Sequence, residues 1–143
     1  MHRVLIVDDE KELSDSLSEI LADEGYGTLC ACNPLDALPL LERERVDLVI
    51  LDIRMPGIGG IDLLKLMRKK SPYLKVIILT GHPSIENAVL SMKYGAVDFF
   101  EKPPNLKRLL GAIGEFAAQN DLAYAAPLPS ADTIVTGDPQ MQK

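Results

Sequence analysis

Four polar landmarks close apolar runs along this 143-residue chain. Val4-Leu5-Ile6-Val7 leads into Asp8-Asp9, Leu48-Val49-Ile50-Leu51 into Asp52, and Phe99-Phe100-Glu101 into Lys102-Pro103, while Val76 to Leu79 delivers Thr80. If the apolar runs are parallel strands, their polar ends emerge together at the carboxyl edge of one sheet, where open α/β folds place their ligands. Three Asp and one Lys would then share a pocket. Crowded carboxylates resist ionisation unless a cation intervenes, so the cluster implies a divalent metal beside the Lys, and an oxygen-only ligand set points to Mg2+. Such a pocket suits phosphoryl transfer to a carboxylate. A central Asp can attack phosphorus once the anionic repulsion is relieved, and a Lys adds a point charge to the phosphoryl group. A Thr hydroxyl at a strand end can bond a phosphoryl oxygen and so report that it is there.

Each landmark also has a bland explanation. Asp9 with Glu12 resembles a helix-capping pair, Asp52 could simply open the turn Met55-Pro56-Gly57-Ile58-Gly59-Gly60, Thr80 could bond its own loop, and Lys102 could be a solvated charge. All four would have to hold at the same sheet edge, and that coincidence weighs against them. His82 is expected to be neither ligand nor base, because the chemistry needs oxygen donors and an ionised Asp needs no general base.

The elements that must position these residues alternate. Strands are expected at about residues 3–7, 28–32, 47–51, 76–79 and 97–100. Between and after them lie apolar stripes at helical spacing. Leu13, Leu17, Ile20 and Leu21 precede Gly25, and Ala37, Leu38 and Leu41 follow an Asn33-Pro34 cap. Leu63, Leu64 and Met67 come before Ser71-Pro72, and Ile85, Ala88, Val89 and Met92 are read as an inward face stopped by Gly95. Leu106, Leu109, Leu110, Ile113 and Phe116 follow the Asn105 cap. Pro39 should kink the second helix or delay its start, since an interior Pro loses a backbone bond. Five strands alternating with five helices give a doubly wound parallel sheet, and the flavodoxin-like order 2-1-3-4-5 is the expected one. Beyond Gln119 the pattern dissolves into an Ala- and Pro-rich stretch that reads as a linker.

A chain of this length suits one domain plus a tail. The net charge of −6 argues against a nucleic-acid surface, which needs Lys and Arg to neutralise phosphates. Cys30 and Cys32 share one strand face and are expected as reduced hydrophobes in a core. No charged-then-apolar leader opens the chain and no apolar stretch approaches the roughly 20 residues that span a bilayer, so a cytoplasmic protein without membrane contact is expected.

The runs VLIVDDE, DLVILDIRMPG around Asp52, VIILTGH through Thr80 and GAVDFFEKP through Lys102 together resemble the receiver domain of two-component response regulators. The resemblance covers about residues 2–118, and every signature is in order. It implies that Asp52 is the phosphoacceptor for a phosphohistidine on a sensor histidine kinase. It makes Asp9 a direct Mg2+ ligand, Asp8 a neighbour that holds the ion mainly through water, and Arg54 the residue whose backbone carbonyl completes the site. Thr80 matches the switch hydroxyl, Phe99 the switch aromatic, Lys102 the phosphate-binding Lys, and Lys102-Pro103 a cis-peptide candidate. For Phe99 the residues alone favour a plain core role, and the resemblance brings the two readings level. A phosphohydrolase of the haloacid-dehalogenase type would share the chemistry, but it needs an Asp-x-Asp where this chain has the adjacent pair Asp8-Asp9.

The stretch IENAVLSMKYGAVDFFEKP is similar to receivers of the nitrogen-regulation class, whose regulators carry an AAA+ ATPase acting on sigma-54 RNA polymerase and a DNA-binding helix-turn-helix. The implied organisation is a receiver over residues 1–118, a linker over 119–133 and the opening of an ATPase domain over 134–143. DNA and polymerase would be reached only through domains absent from this chain. The chain holds no phosphate-cradling Gly-rich loop with its Lys, so no ATPase activity is expected, and the domain is read as a switch with a phosphorylation-dependent homodimer rather than as an enzyme. Gly59 and Pro104 depart from the resembled pattern. Gly59 removes a possible cap from the third helix, and with Pro39 these positions touch local helix geometry and the output face rather than the pocket.

Overall fold

The computed structural model describes residues 2–54 and 59–125, with side chains described as far as residue 118. Five strands, β1 (Arg3–Val7), β2 (Gly27–Ala31), β3 (Leu48–Leu51), β4 (Lys75–Thr80) and β5 (Asp98–Glu101), alternate with α1 (Lys11–Asp23), α2 (Pro34–Arg43), α3 (Gly60–Lys70), α4 (Ile85–Lys93) and α5 (Leu106–Ala125). All strand pairs are parallel and the order is β2-β1-β3-β4-β5.

The central strands are apolar along their buried runs, residues 4–7, 48–51 and 76–79, because both of their faces are covered. Period-two alternation sorts their side chains between two cores. Leu5, Val7, Val49, Leu51, Val76 and Ile78 join Ala37 of α2 and Leu63, Leu64 and Met67 of α3 on one face. Val4, Ile6, Leu48, Ile50, Ile77 and Leu79 join Leu17 and Leu21 of α1 and Leu109 and Ile113 of α5 on the other. Strand register then sets the site. Val7 lies opposite Leu51, so the chain leaves β1 at Asp8 and β3 at Asp52 side by side.

The helix boundaries follow local chemistry. Asn33 caps α2 by accepting the Leu35 amide at 2.9 Å, and Asn105 caps α5 by accepting that of Arg108 at 3.1 Å. Gly25 and Gly95 follow the ends of α1 and α4 with φ of 94° and 103°, a backbone state that costs little only for glycine. Helix α2 begins at Pro34 with Pro39 inside it, so the delayed start does not occur. Gly59 precedes α3 without a side-chain cap bond.

Three expectations need correction. The stripe on α4 was read as inward, yet Ile85, Val89 and Met92 are 85%, 60% and 49% exposed; only Ser91 of this helix is buried, because α4 rests on the sheet by its opposite side. Cys30 and Cys32 are exposed rather than core: Cys30 lies on β2, an edge strand, and Cys32 one residue past its end. Helix α5 runs on to Ala125, seven residues into the stretch expected as linker; residues 115–126 hold no Gly or Pro to stop it. The remainder of that linker, and the expected start of an ATPase domain at 134–143, lie outside the described residues.

Gly60 joins this scaffold to the site. A Cβ there would meet Ile53 Cα at 2.3 Å and the Asp52 carbonyl oxygen at 2.8 Å, both backbone atoms that cannot give way. Gly60→Ala should therefore destabilise the protein by about 3 kcal/mol, the upper range of overpacking, read as a lowered urea midpoint at unchanged slope.

Candidate functional site

The carboxyl edge gathers the residues that the strand ends deliver. Asp8 follows β1, Asp52 follows β3, Thr80 is the last residue of β4, and Lys102 follows β5. Asp8, Asp52 and Thr80 are 3%, 5% and 0% exposed, so two carboxylates stand almost out of water. The Lys102 ammonium compensates them. Its Nζ lies 2.7 Å from Asp8 Oδ2 and 3.0 Å from Asp52 Oδ2, and also 2.6 Å from Glu10 Oε1.

Backbone amides occupy the opposite carboxylate oxygens. Asp8 Oδ1 accepts the Glu10 amide and Asp52 Oδ1 accepts the Arg54 amide, each at 2.9 Å. These turns aim the second oxygen of each acid at the ammonium. At the neighbouring strand end, Thr80 Oγ1 accepts the His82 amide at 3.1 Å, and the Lys102 amide donates to the Thr80 carbonyl at 2.8 Å, tying β4 to the segment that carries the Lys. The Lys102-Pro103 peptide is cis.

The electrostatics follow this packing. Burial pushes the Asp8 carboxyl up, against the hydrogen bonds from Lys102 and the Glu10 amide that pull it down. The Lys102 hydrogen bond holds Glu10 below its usual range. Burial alone would lower Lys102, but its bonds to Asp8, Glu10 and Asp52 together raise it well above an ordinary lysine.

Oxygen atoms of Asp8, Glu10 and Asp52 all lie within 4.8 Å of one another, a donor set suited to a hard divalent cation. Asp9 is exposed and is not among these gathered acids. Glu10, which the strand-end pattern passed over, is; its signal was the turn that brings residue i+2 back onto the Asp8 carboxylate. Arg54 is exposed with its amide turned to Asp52. Phe99 is partly buried against the core that includes Ile78 and Val76.

Residues 4–114 match the response regulator receiver domain. The chain belongs to that family, whose members serve phosphorylation-based two-component signalling. The chain is 40% identical over 111 residues to the nitrogen assimilation regulatory protein NtrX of Azorhizobium caulinodans, an alignment covering 76% of this chain but 24% of that protein. In fold it is similar to a CheY-like receiver domain protein of Methanospirillum hungatei, with a TM-score of 0.82, 36% identity and coverage of 86% and 98% of the two chains. It is also similar to the response regulator TrrA of Thermotoga maritima, solved in complex with Mg2+ and BeF, with a TM-score of 0.74, 35% identity and coverage of 81% and 99%. This receiver holds an acidic pocket centred on one ammonium, and among the described residues no helix is long and apolar enough to cross a membrane.

Removing the ammonium leaves two buried acids face to face. Lys102→Ala should cost about 3 kcal/mol in metal-free buffer, as for a broken buried pair. A saturating hard divalent cation should return about 2.7 kcal/mol of this at a hundredfold excess over its dissociation constant. Urea unfolding with and without the cation measures both.

Proposed function

We propose that the protein is a phosphorylation-dependent switch in which Asp52 accepts a phosphoryl group from the phosphohistidine of a sensor histidine kinase. The observation that carries this is the single ammonium of Lys102 shared by Asp52 and Asp8 at 3.0 and 2.7 Å, at the edge where the sheet opens. In the transfer, a carboxylate oxygen of Asp52 forms a P–O bond as the P–N bond to the imidazole breaks, and the imidazole leaves with the electron pair. Lys102 then pairs with a phosphoryl oxygen.

Asp8, Asp9 and Asp52, with the backbone carbonyl of Arg54, would hold Mg2+, which neutralises phosphoryl charge when bound. The Mg2+ and BeF in the structural relative from Thermotoga maritima support that choice of cation. The receiver would comprise residues 1–118 and, past the end of α5 at Ala125, lead into an ATPase domain beginning at 134–143.

The switch is proposed to run through Thr80 and Phe99. The Thr80 hydroxyl already accepts one amide from His82 and has a proton to donate to a phosphoryl oxygen. Moving inward, it would vacate space on the core that Phe99 borders. The face that changes is α4, β5 and α5, and the exposed stripe Ile85, Val89 and Met92 is apolar enough to suit a second copy of this chain. The likeness to NtrX supports a role in transcription, exerted with sigma-54 RNA polymerase and DNA through domains beyond this chain, in the cytoplasm.

Acetyl phosphate with Mg2+ should label wild type, and Asp52→Asn should lose the label while Asp62→Asn, an exposed acid on α3, keeps it. Equal labelling of Asp52→Asn would rule the phosphoacceptor out. Val89→Glu should change stability by less than about 0.5 kcal/mol, as for a surface substitution, yet weaken association of the phosphorylated form in analytical ultracentrifugation.

A further inference from the structure

Glu10 stands apart from the other two acids on Lys102. The side chains of Asp8 and Asp52 are 4% and 6% exposed, whereas that of Glu10 is 62% exposed, although its contact with the ammonium, at 2.6 Å, is the shortest of the three. An ammonium has three protons to donate, and here three carboxylates take them. A phosphoryl oxygen arriving at Asp52 needs one of those donors.

We infer that Glu10 is a positioning residue acting through Lys102: it completes the resting clasp on the ammonium and is the partner that a phosphoryl group displaces. The inference rests on the phosphoacceptor reading of Asp52. The choice among the three acids is physical. Asp8 and Asp52 are held at strand ends by the amides of Glu10 and Arg54, and as the phosphoryl group arrives, before its bond to Asp52 forms, each still carries a buried charge that needs a partner. Glu10 precedes α1 and can return its carboxylate to water at small cost. By competing for the Lys102 ammonium, Glu10 restrains phosphorylation.

Glu10→Gln keeps the side-chain size and removes the charge. Phosphorylation by acetyl phosphate with Mg2+ should become about two- to fivefold faster than in wild type, the range an exposed ion pair spans, and beryllofluoride should bind tighter by a similar factor. Both gains should shrink at high salt, which screens exposed charge, and should vanish in a Lys102→Met background, where a double-mutant cycle isolates the coupling. In metal-free buffer, acylation of the Lys102 amine, followed by mass spectrometry, should be faster in Glu10→Gln, because the clasp is open. A structural defect would instead slow phosphorylation and would not depend on Lys102. Wild type that labels while Glu10→Gln labels no faster, or a gain that survives Lys102→Met, would overturn the inference and leave the phosphoacceptor reading standing. Wild type that does not label would remove both.

Discussion

Everything at the carboxyl edge depends on one partly buried ammonium holding like charges together. Asp8 and Asp52 leave adjacent parallel strands with almost no access to water, a placement that without Lys102 would set two like charges against each other with little solvent to screen them. Lys102 comes from β5, two strands away from β3 across β4, so its position requires the whole right half of the sheet to be in register. The tie from the Lys102 amide to the Thr80 carbonyl carries that register into the pocket. In the proposed switch, a change in what the ammonium binds would be felt at the ends of β4 and β5, beside α4.

The two faces of the sheet contribute differently. The face covered by α2 and α3 is deeply packed, and its core runs from Ile53 beside the site to Ala96 ahead of β5 at the opposite end of the sheet. Arg68 of α3 supports the far edge by donating to the Leu74 carbonyl and packing under Gly95. Helix α4 belongs to the thinner part of this layer, with one buried residue and a solvent-facing apolar stripe. An element with few buried contacts is the one most readily displaced, and it lies next to the strand ends that Lys102 ties together.

The sequence disclosed most of the fold and the edge that carries the site, because buried parallel strands are apolar on both faces and end abruptly in polar residues. Asp8, Asp52, Thr80 and Lys102 were legible for that reason. Features that depend on what lies across the fold were not. Ile85, Val89 and Met92 show the spacing of a helix stripe, but spacing cannot say whether anything covers it. Cys30 and Cys32 alternate like core residues, yet one lies on an edge strand and the other just past that strand's end. Glu10 went unread because its role comes from a turn onto Asp8 and from a Lys that lies 92 residues away in the chain.

The central claim is that the Lys102 ammonium passes from the resting carboxylates to a group carried on Asp52. A crystal structure of the protein with Mg2+ and beryllofluoride tests it most directly. The account requires the beryllium on an Asp52 oxygen, Lys102 Nζ within hydrogen-bond distance of a fluoride, and Glu10 released from the ammonium. Beryllofluoride on any other residue, or on Asp52 with Lys102 still clasped by Asp8 and Glu10, would contradict it.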